Sequence, residues 1–175
     1  MDDTEALKMI DKSFYLRDVL EVAPDLLGKT IIRKWPSGCE ERVLITETEA
    51  YSGMGDKACH ASKGRTNRTE VMFMEGGILY MYLVYGMHWM LNVVTSVEDE
   101  PQAVLIRGLN TVNGPGRLTR FLELDKSFNR EDLIMSDRIS LYDTGLSPDY
   151  DALPRIGIDY AGEYWKNKPW RFVMK

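Results

Sequence analysis

Glu47, Glu49 and Tyr51 fall at every second position of Ile45-Thr-Glu-Thr-Glu-Ala-Tyr51, and a strand would turn all three to one face. Two carboxylates at that spacing lie ~7 Å apart, room enough for a water between an acid and a base working on a sugar. Glu47 and Glu49 could form such a pair. The plainer reading, which we prefer, is that one lines a cleft while the other makes a salt bridge on the sheet. Glu49 is then the cleft residue, because Tyr51 follows on its face and a polar stretch begins there. His60, one of 2 histidines, sits in Ala58-Cys-His-Ala-Ser62 just beyond. An imidazole there can move protons, although a lone histidine is more often structural. A second run, Ile78-Leu-Tyr-Met-Tyr-Leu-Val-Tyr85, is rich in aromatic and β-branched residues. Gly86-Met87 and then His88-Trp-Met-Leu-Asn-Val-Val94 follow it. This predicts a hairpin with Tyr85 near its tip. Tyr80 and Tyr82 share a parity that Tyr85 does not, so they can line a pocket while Tyr85 points elsewhere. Electron-rich rings stack on flat ligands and attract cations, each contact worth roughly 0.5–2 kcal/mol. A damaged, positively charged nucleobase meets both conditions.

Other chemistries fit worse. The chain has neither the HxE and PCxxC of zinc deaminases nor the HExxH of zinc proteases, so no metal is expected. Nucleophilic catalysis fits no better, since the GxSxG elbow of serine hydrolases is absent. Cys39 and Cys59 are too far apart for a metal knuckle and too few for a disulfide framework, and are expected as free thiols.

The elements that must position these residues follow from pattern. Thr4 to Val22 has roughly helical apolar spacing, broken near Lys12-Ser13, which predicts one or two short helices ended or restarted by Ala23-Pro-Asp25. Leu27 to Trp35 reads as a strand entering the turn Pro36-Ser-Gly38, and the run from Glu40 as its returning partner. Tyr51 to Val71 is expected to be a long polar loop over the surface. Ala103-Val-Leu-Ile-Arg107 reads as a third central strand, and Asn113-Gly-Pro-Gly116 as a turn into a helix over Arg117 to Leu124. One strand is expected at Arg138 to Tyr142, and closing strands at Arg155-Ile-Gly-Ile158 and Trp170 to Met174.

With 175 residues, the chain suits one domain with a real core. Disorder is expected only at Met1 to Glu5. No apolar run approaches the ~20 residues of a membrane span, and the start is unlike a signal peptide. A cytoplasmic protein is expected, at the nucleoid in a bacterium or in the nucleus of a eukaryote. Net charge is -5, from 22 basic and 27 acidic residues, which argues against nucleic-acid affinity carried by global charge. Any such surface must be local, drawn from Lys63 with Arg65 and Arg68, from Arg117 with Arg120, or from Lys126 with Arg130.

The strings Glu47-Thr-Glu-Ala-Tyr51, Arg65 to Arg68 followed by Met72-Phe-Met74, Tyr80-Met-Tyr-Leu-Val-Tyr-Gly-Met87, Asn92 and Val104-Leu-Ile-Arg107 resemble the alkyladenine (3-methyladenine) DNA glycosylase family. So do Gly114-Pro-Gly-Arg-Leu118, Asp125-Lys-Ser-Phe128, Arg155-Ile-Gly-Ile158 and Ala161-Gly-Glu163, and the likeness runs from Leu26 to Val173. The resemblance implies a single α+β domain, with a curved, mainly antiparallel sheet flanked by helices and a protruding β-hairpin. It implies a monofunctional, cofactor-free enzyme that flips damaged purines out of double-stranded DNA and hydrolyses their N-glycosidic bond, acting as a monomer away from membranes. It maps Glu49 onto the base that activates water, Arg107 beside that water, and Tyr51, His60, Tyr82 and Asn92 onto the base pocket. Tyr85 maps onto the residue that replaces the extruded nucleotide. Met87, Arg65, Arg68, Leu105 and Lys126 are the further expected DNA contacts. Cationic lesions such as 3-methyladenine and 7-methylguanine would leave unaided, whereas hypoxanthine or ethenoadenine would need a proton or a hydrogen bond.

Overall fold

The longest strand organises the molecule. The computed structural model describes residues 7–175, so the expected disorder of residues 1–5 lies outside the described part. Strands are β1 (Lys8–Met9), β2 (Thr30–Lys34), β3 (Glu40–Tyr51), β4 (Leu79–Val84), β5 (His88–Thr95), β6 (Gln102–Leu109), β7 (Ile139–Asp143), β8 (Tyr150–Leu153) and β9 (Arg171–Met174). The helices are short: α1 (Lys12–Tyr15), α2 (Val19–Asp25), α3 (Pro115–Phe121) and α4 (Glu163–Lys166). The sheet runs β1-β7-β2-β3-β6-β5-β4, with β9 pairing both β3 and β8. Every one of these pairings is antiparallel. The fold is thus α+β around one mainly antiparallel sheet, as the resemblance implied.

β3 is shared in two halves. Its first half pairs with β2 (Thr30↔Leu44 to Lys34↔Glu40), and its second lies between β6 (Glu49↔Leu105) and β9 (Glu47↔Val173). The register slips between Ile45 and Thr48, and this irregularity changes which parity faces the core. Before it, Val43 and Ile45 join the main apolar cluster; after it, Ala50 does, and the Thr48 hydroxyl donates to the Ala23 carbonyl of α2 at 2.8 Å. Glu47, Glu49 and Tyr51 are thereby left on the opposite face. The neighbouring strands sort the same way. Leu79, Met81, Leu91, Val93, Val104 and Ile106 pack in the main core with α2 and α3, whereas Tyr80, Val94 and Ala103 belong to a second cluster on the other side.

The expected hairpin is present, with Leu79↔Val93 to Val84↔His88 in register. Tyr85 and Gly86 turn it with φ of 52° and 67°. A left-handed tyrosine is uncommon and costs on the order of 1–2 kcal/mol.

Several expectations need correction. Lys8–Met9 is a strand paired with β7, because Asp11 and Asp18 set the helix starts by capping the Ser13 and Leu20 amides at 2.9 and 2.8 Å. The break between helices therefore falls at Leu16 to Asp18, and Pro24 lies inside α2. The stretch after Tyr51 is no polar surface loop. It folds into the 3₁₀ turns Gly53–Gly55, His60–Lys63 and Glu70–Phe73 and buries Ala58, Cys59, Ala61, Val71 and Met72. Arg155 to Ile158 is not a strand: Gly157 has φ 75° and Arg155 is drawn into an ion pair. β8, unforeseen, pairs with β9 instead. Both cysteines are free.

Gly76 joins the second-face loop to α1: a Cβ there would lie 2.2 Å from the Tyr15 carbonyl oxygen. Gly76→Ala is expected to destabilise the protein by about 1–3 kcal/mol, seen as a lower urea midpoint at unchanged slope; an unchanged midpoint would refute this packing account.

Candidate active site

A cavity of about 340 Å³ opens on the second face of the sheet. Its floor is made by Ala103, Leu105 and Arg107 of β6 and Asn92 of β5, and its walls by Tyr51, His60, Tyr80 and Tyr82. The tail residues Ile156 to Ile158 and Tyr160 close one side, and Tyr85 stands at the mouth. A larger depression, about 520 Å³, lies at the β1–β7 edge. Two of its ion pairs, Lys29 on Asp143 and Arg17 on Asp25, are each closed at 2.8 Å, and it lacks the tyrosine walls of the smaller cavity.

Glu49 is fully buried behind the cavity wall. Its Oε2 accepts from the Tyr51 hydroxyl at 2.7 Å, and its Oε1 from the Ile156 amide at 2.8 Å. Arg107 Nε lies 3.5 Å from the same Oε1. Burial pushes the Glu49 carboxyl above the usual carboxylate range, against the opposing pull of Arg107, the Ile156 amide, Tyr51 and Arg155. Such a carboxylate is a stronger base when ionised. Glu47 is the ion-paired partner foreseen by the plainer reading: its Oε1 takes Arg107 Nε at 3.2 Å and Arg171 Nη1 at 3.0 Å. With that oxygen shared by two guanidinium groups, Glu47 is poorly suited to serve as a second acid or base.

The aromatic walls are neutral and held. Burial raises Tyr51 and Tyr82 above the ordinary phenol value, with the Glu49 charge adding to both. His60 Nδ1 lies 3.0 Å from the Tyr80 hydroxyl, and its ring meets Tyr82 edge-on at 4.5 Å. Burial first, and the Arg68 charge second, push the imidazole down to about 4, so His60 is uncharged near neutrality. Asn92 is buried, and its Nδ2 donates to the Tyr80 carbonyl at 3.2 Å.

The residues expected on the DNA side are placed differently from one another. Tyr85 is 88% exposed, and Met87 beside it is also exposed. Arg68 sits 5.4 Å over the Tyr82 ring, at the cavity rim. Arg65 stacks on Phe73 and pairs with Asp99. Leu105 is buried in the cavity floor, where it can meet a ligand in the cavity and has no surface for a groove. Lys126 is exposed at the start of the turn Lys126–Phe128 and does not line the cavity. Arg130 is engaged by Glu70 at 2.5 Å.

Sequence reasoning missed the roles of the Ile156 amide, Tyr160 and the buried pair Arg155–Asp56. Arg155-Ile-Gly-Ile158 was a visible string, but its alternation suggested a strand.

The model of the methylpurine-DNA glycosylase family matches residues 13–113 and 109–175. The chain belongs to this family. It is therefore a DNA glycosylase, a hydrolase of N-glycosyl bonds. Curated relatives whose provisional name is 3-methyladenine DNA glycosylase include one from Natranaerobius thermophilus, 43% identical over 95% of this chain and 95% of that protein. Another, from Borreliella burgdorferi, is 45% identical over 95% and 96%. One from Wolbachia pipientis wMel is 46% identical over 94% and 90%. No helix among the described residues is long and apolar enough to cross a membrane.

A neutral His60 has a measurable consequence. The unfolded chain takes up a proton near the ordinary 6.5, the folded one only near 4, so stability contributed by the neutral imidazole is present above that window and is lost as pH falls from about 6.5 to 4. In NMR, with His88→Gln removing the other imidazole, the His60 ring signals should titrate with a midpoint near 4. A midpoint at 6 or above would mean a solvated ring.

Proposed function

We propose that this glycosylase is monofunctional, flips alkylated purines such as 3-methyladenine and 7-methylguanine out of duplex DNA, and releases them with a water activated by Glu49. The observation that carries the reading is the buried Glu49 carboxylate, lodged against Arg107 and Tyr51 at the back of a cavity walled by tyrosines. In the reaction, a C1′–oxygen bond forms from water while the C1′–N bond breaks. The base leaves with the bonding electron pair, and Glu49 accepts the proton that water gives up. Positive charge building on the sugar is stabilised by the same carboxylate. A cationic methylated base leaves as a neutral molecule and needs no acid.

The cavity supports that substrate class. Tyr51 and Tyr82 offer ring faces that attract cationic bases, and the uncharged His60 adds no repulsion. Its Nδ1 is engaged by Tyr80; in the tautomer in which the Tyr80 hydroxyl donates to Nδ1, the Nε2 proton on the far side serves as donor to an acceptor atom of the base. That hydrogen bond is the available help for a neutral lesion such as hypoxanthine or ethenoadenine. The bulk of buried Asn92 in the floor stands against the extra amino group of guanine.

Tyr85 is the proposed wedge. Extruding a nucleotide costs a few kcal/mol of stacking and pairing, and an inserted side chain offsets part of it. An exposed ring on a strained turn at a hairpin tip suits that role. With a net charge of -5, non-specific affinity should be weak and carried by few phosphate contacts, Arg65 and Arg68 being the candidates.

Glu49→Gln is expected to slow single-turnover base release by at least ~10²-fold while binding to an abasic-site analogue survives; undiminished release would remove Glu49 from the chemistry. In the wild type the acid limb of that rate should lie above the ordinary glutamate value, because Glu49 is raised. Tyr85→Ser should weaken binding to damaged duplex roughly tenfold, the order expected if a few kcal/mol of unstacking is only partly offset, and should abolish the fluorescence rise of a 2-aminopurine placed beside the lesion. Unaltered affinity and fluorescence would exclude a wedge.

A further inference from the structure

Asp56 and Arg155 form an ion pair with no exposed side-chain surface on either partner. The contact is bidentate: Arg155 Nη1 donates to Asp56 Oδ2 at 2.6 Å and Nη2 to Oδ1 at 3.0 Å. Nη1 also donates to the Ala50 carbonyl at 3.0 Å, between Glu49 and Tyr51 in β3. The guanidinium carbon lies 4.8 Å from the Tyr51 ring centre and 5.0 Å from that of Trp170. Its Nε has no hydrogen-bond partner among the described residues, so stacking between two rings completes the hold. The next residue along the chain is Ile156, whose amide donates to Glu49. Asp56, for its part, accepts from the Ser52 and Ala58 amides and so fixes the start of the loop that carries His60.

We infer that the Arg155–Asp56 pair is the positioning element of the site, pressing Tyr51 toward Glu49 and delivering the Ile156 amide to the same carboxylate. Neither residue touches the reacting atoms. The pair acts through two of the three contacts that favour the carboxylate form of Glu49 and aim it. A buried ion pair is a poor source of stability compared with apolar packing, so its presence directly behind a catalytic wall is better explained by geometry than by folding. The inference rests on the proposed role of Glu49.

The groups that face Glu49 are Tyr51 and, through Arg107, Glu47 on β3; Arg107 on β6; Tyr82 on β4; Arg171 on β9, by way of Glu47; and Arg155 and Tyr160 on the tail. The Arg155 charge and the Ile156 amide both favour the carboxylate form. Removing them must raise the Glu49 value and shift activity toward alkaline pH.

The double variant Asp56→Asn with Arg155→Gln removes both charges together and leaves neither stranded. Single-turnover release from alkylated duplex DNA should fall roughly 10- to 100-fold near pH 7, with the acid limb displaced upward, the effect of a misplaced catalytic group. Binding to an abasic-site analogue should stay within about threefold and unfolding should remain cooperative, since the DNA face is untouched. A folded variant with unchanged rate and limb would overturn the inference, as would rate and binding lost in equal proportion. If that variant does not fold, Arg155→Lys keeps the charge but loses the planar fork; it should show a slower rate and a limb displaced the same way, and wild-type values for both would overturn the inference. Glu49→Gln run in parallel separates the two claims. A wild type no faster than Glu49→Gln removes the Glu49 reading and this inference with it, whereas an active wild type with an indifferent positioning variant removes only the inference.

Discussion

The structure depends on keeping one carboxylate buried. A charged side chain taken fully out of water costs several kcal/mol unless partners replace its hydration. Glu49 finds a hydroxyl, an amide and a guanidinium, and each comes from a different place: Tyr51 from its own strand, Ile156 from the tail, Arg107 from β6. The chain must therefore bring positions separated by more than a hundred residues to one point. β3 can host this because its second half is covered on both edges, by β6 and β9. The slip in register ahead of it turns Glu49 out of the apolar core and toward the cavity. A regular strand carrying Val43 and Ile45 inward would have carried Glu47, Glu49 and Tyr51 inward too.

Charge is balanced locally, side chain by side chain. Arg107 lies between Glu49 and Glu47, and Glu47 in turn takes Arg171; Asp56 takes Arg155. Each carboxylate near the cavity thus has an arginine, and the one histidine in the wall is neutral. A cationic base entering such a site meets ring faces and no uncompensated positive charge from these groups. Arg68, over Tyr82 at the rim, is the remaining cation, and it is exposed, where solvent screens it. On the proposed reading, selectivity for flat, positively charged bases would follow from what the cavity omits as much as from the tyrosines it presents.

Much of this was legible in the residue order. The alternation of Glu47, Glu49 and Tyr51, the tyrosine-rich hairpin and the strand carrying Arg107 are local patterns, and each occurs where the pattern put it, although the last strand runs on past Arg107 to Leu109. Single-face placement of the three β3 side chains was read from strand period alone; the register shifts on both sides of Glu47, yet Arg107 still meets Glu47 and Glu49 together and Tyr51 still bonds to Glu49. The slip itself left no local mark, since nothing in Ile45-Thr46-Glu47 distinguishes a bulge from a straight strand. The tail was misread for a different reason. Arg155-Ile-Gly-Ile158 alternates like a strand, but the partner that decides its path, Asp56, lies 99 residues earlier. The same contact explains why the polar-looking loop after Tyr51 is partly buried. Long-range ion pairs do not show in periodicity.

The hairpin adds a constraint that links the cavity to the duplex. Tyr80 and Tyr82 line the cavity from β4, and Tyr85 ends the same ribbon. Three residues of strand span ~10 Å, so on the proposed reading the wall that would stack on an everted base and the ring that would fill its place are a fixed distance apart. The left-handed Tyr85 and Gly86 close a tight turn and leave the ring largely in solvent at the cavity mouth. On the proposed reading, a tip already held in this conformation would lower the ordering cost when DNA docks. On the same reading, a duplex seated against the tip would already be in register with the pocket: insertion of Tyr85 and reception of the base would be two ends of one movement of the DNA, with β4 as the gauge between them.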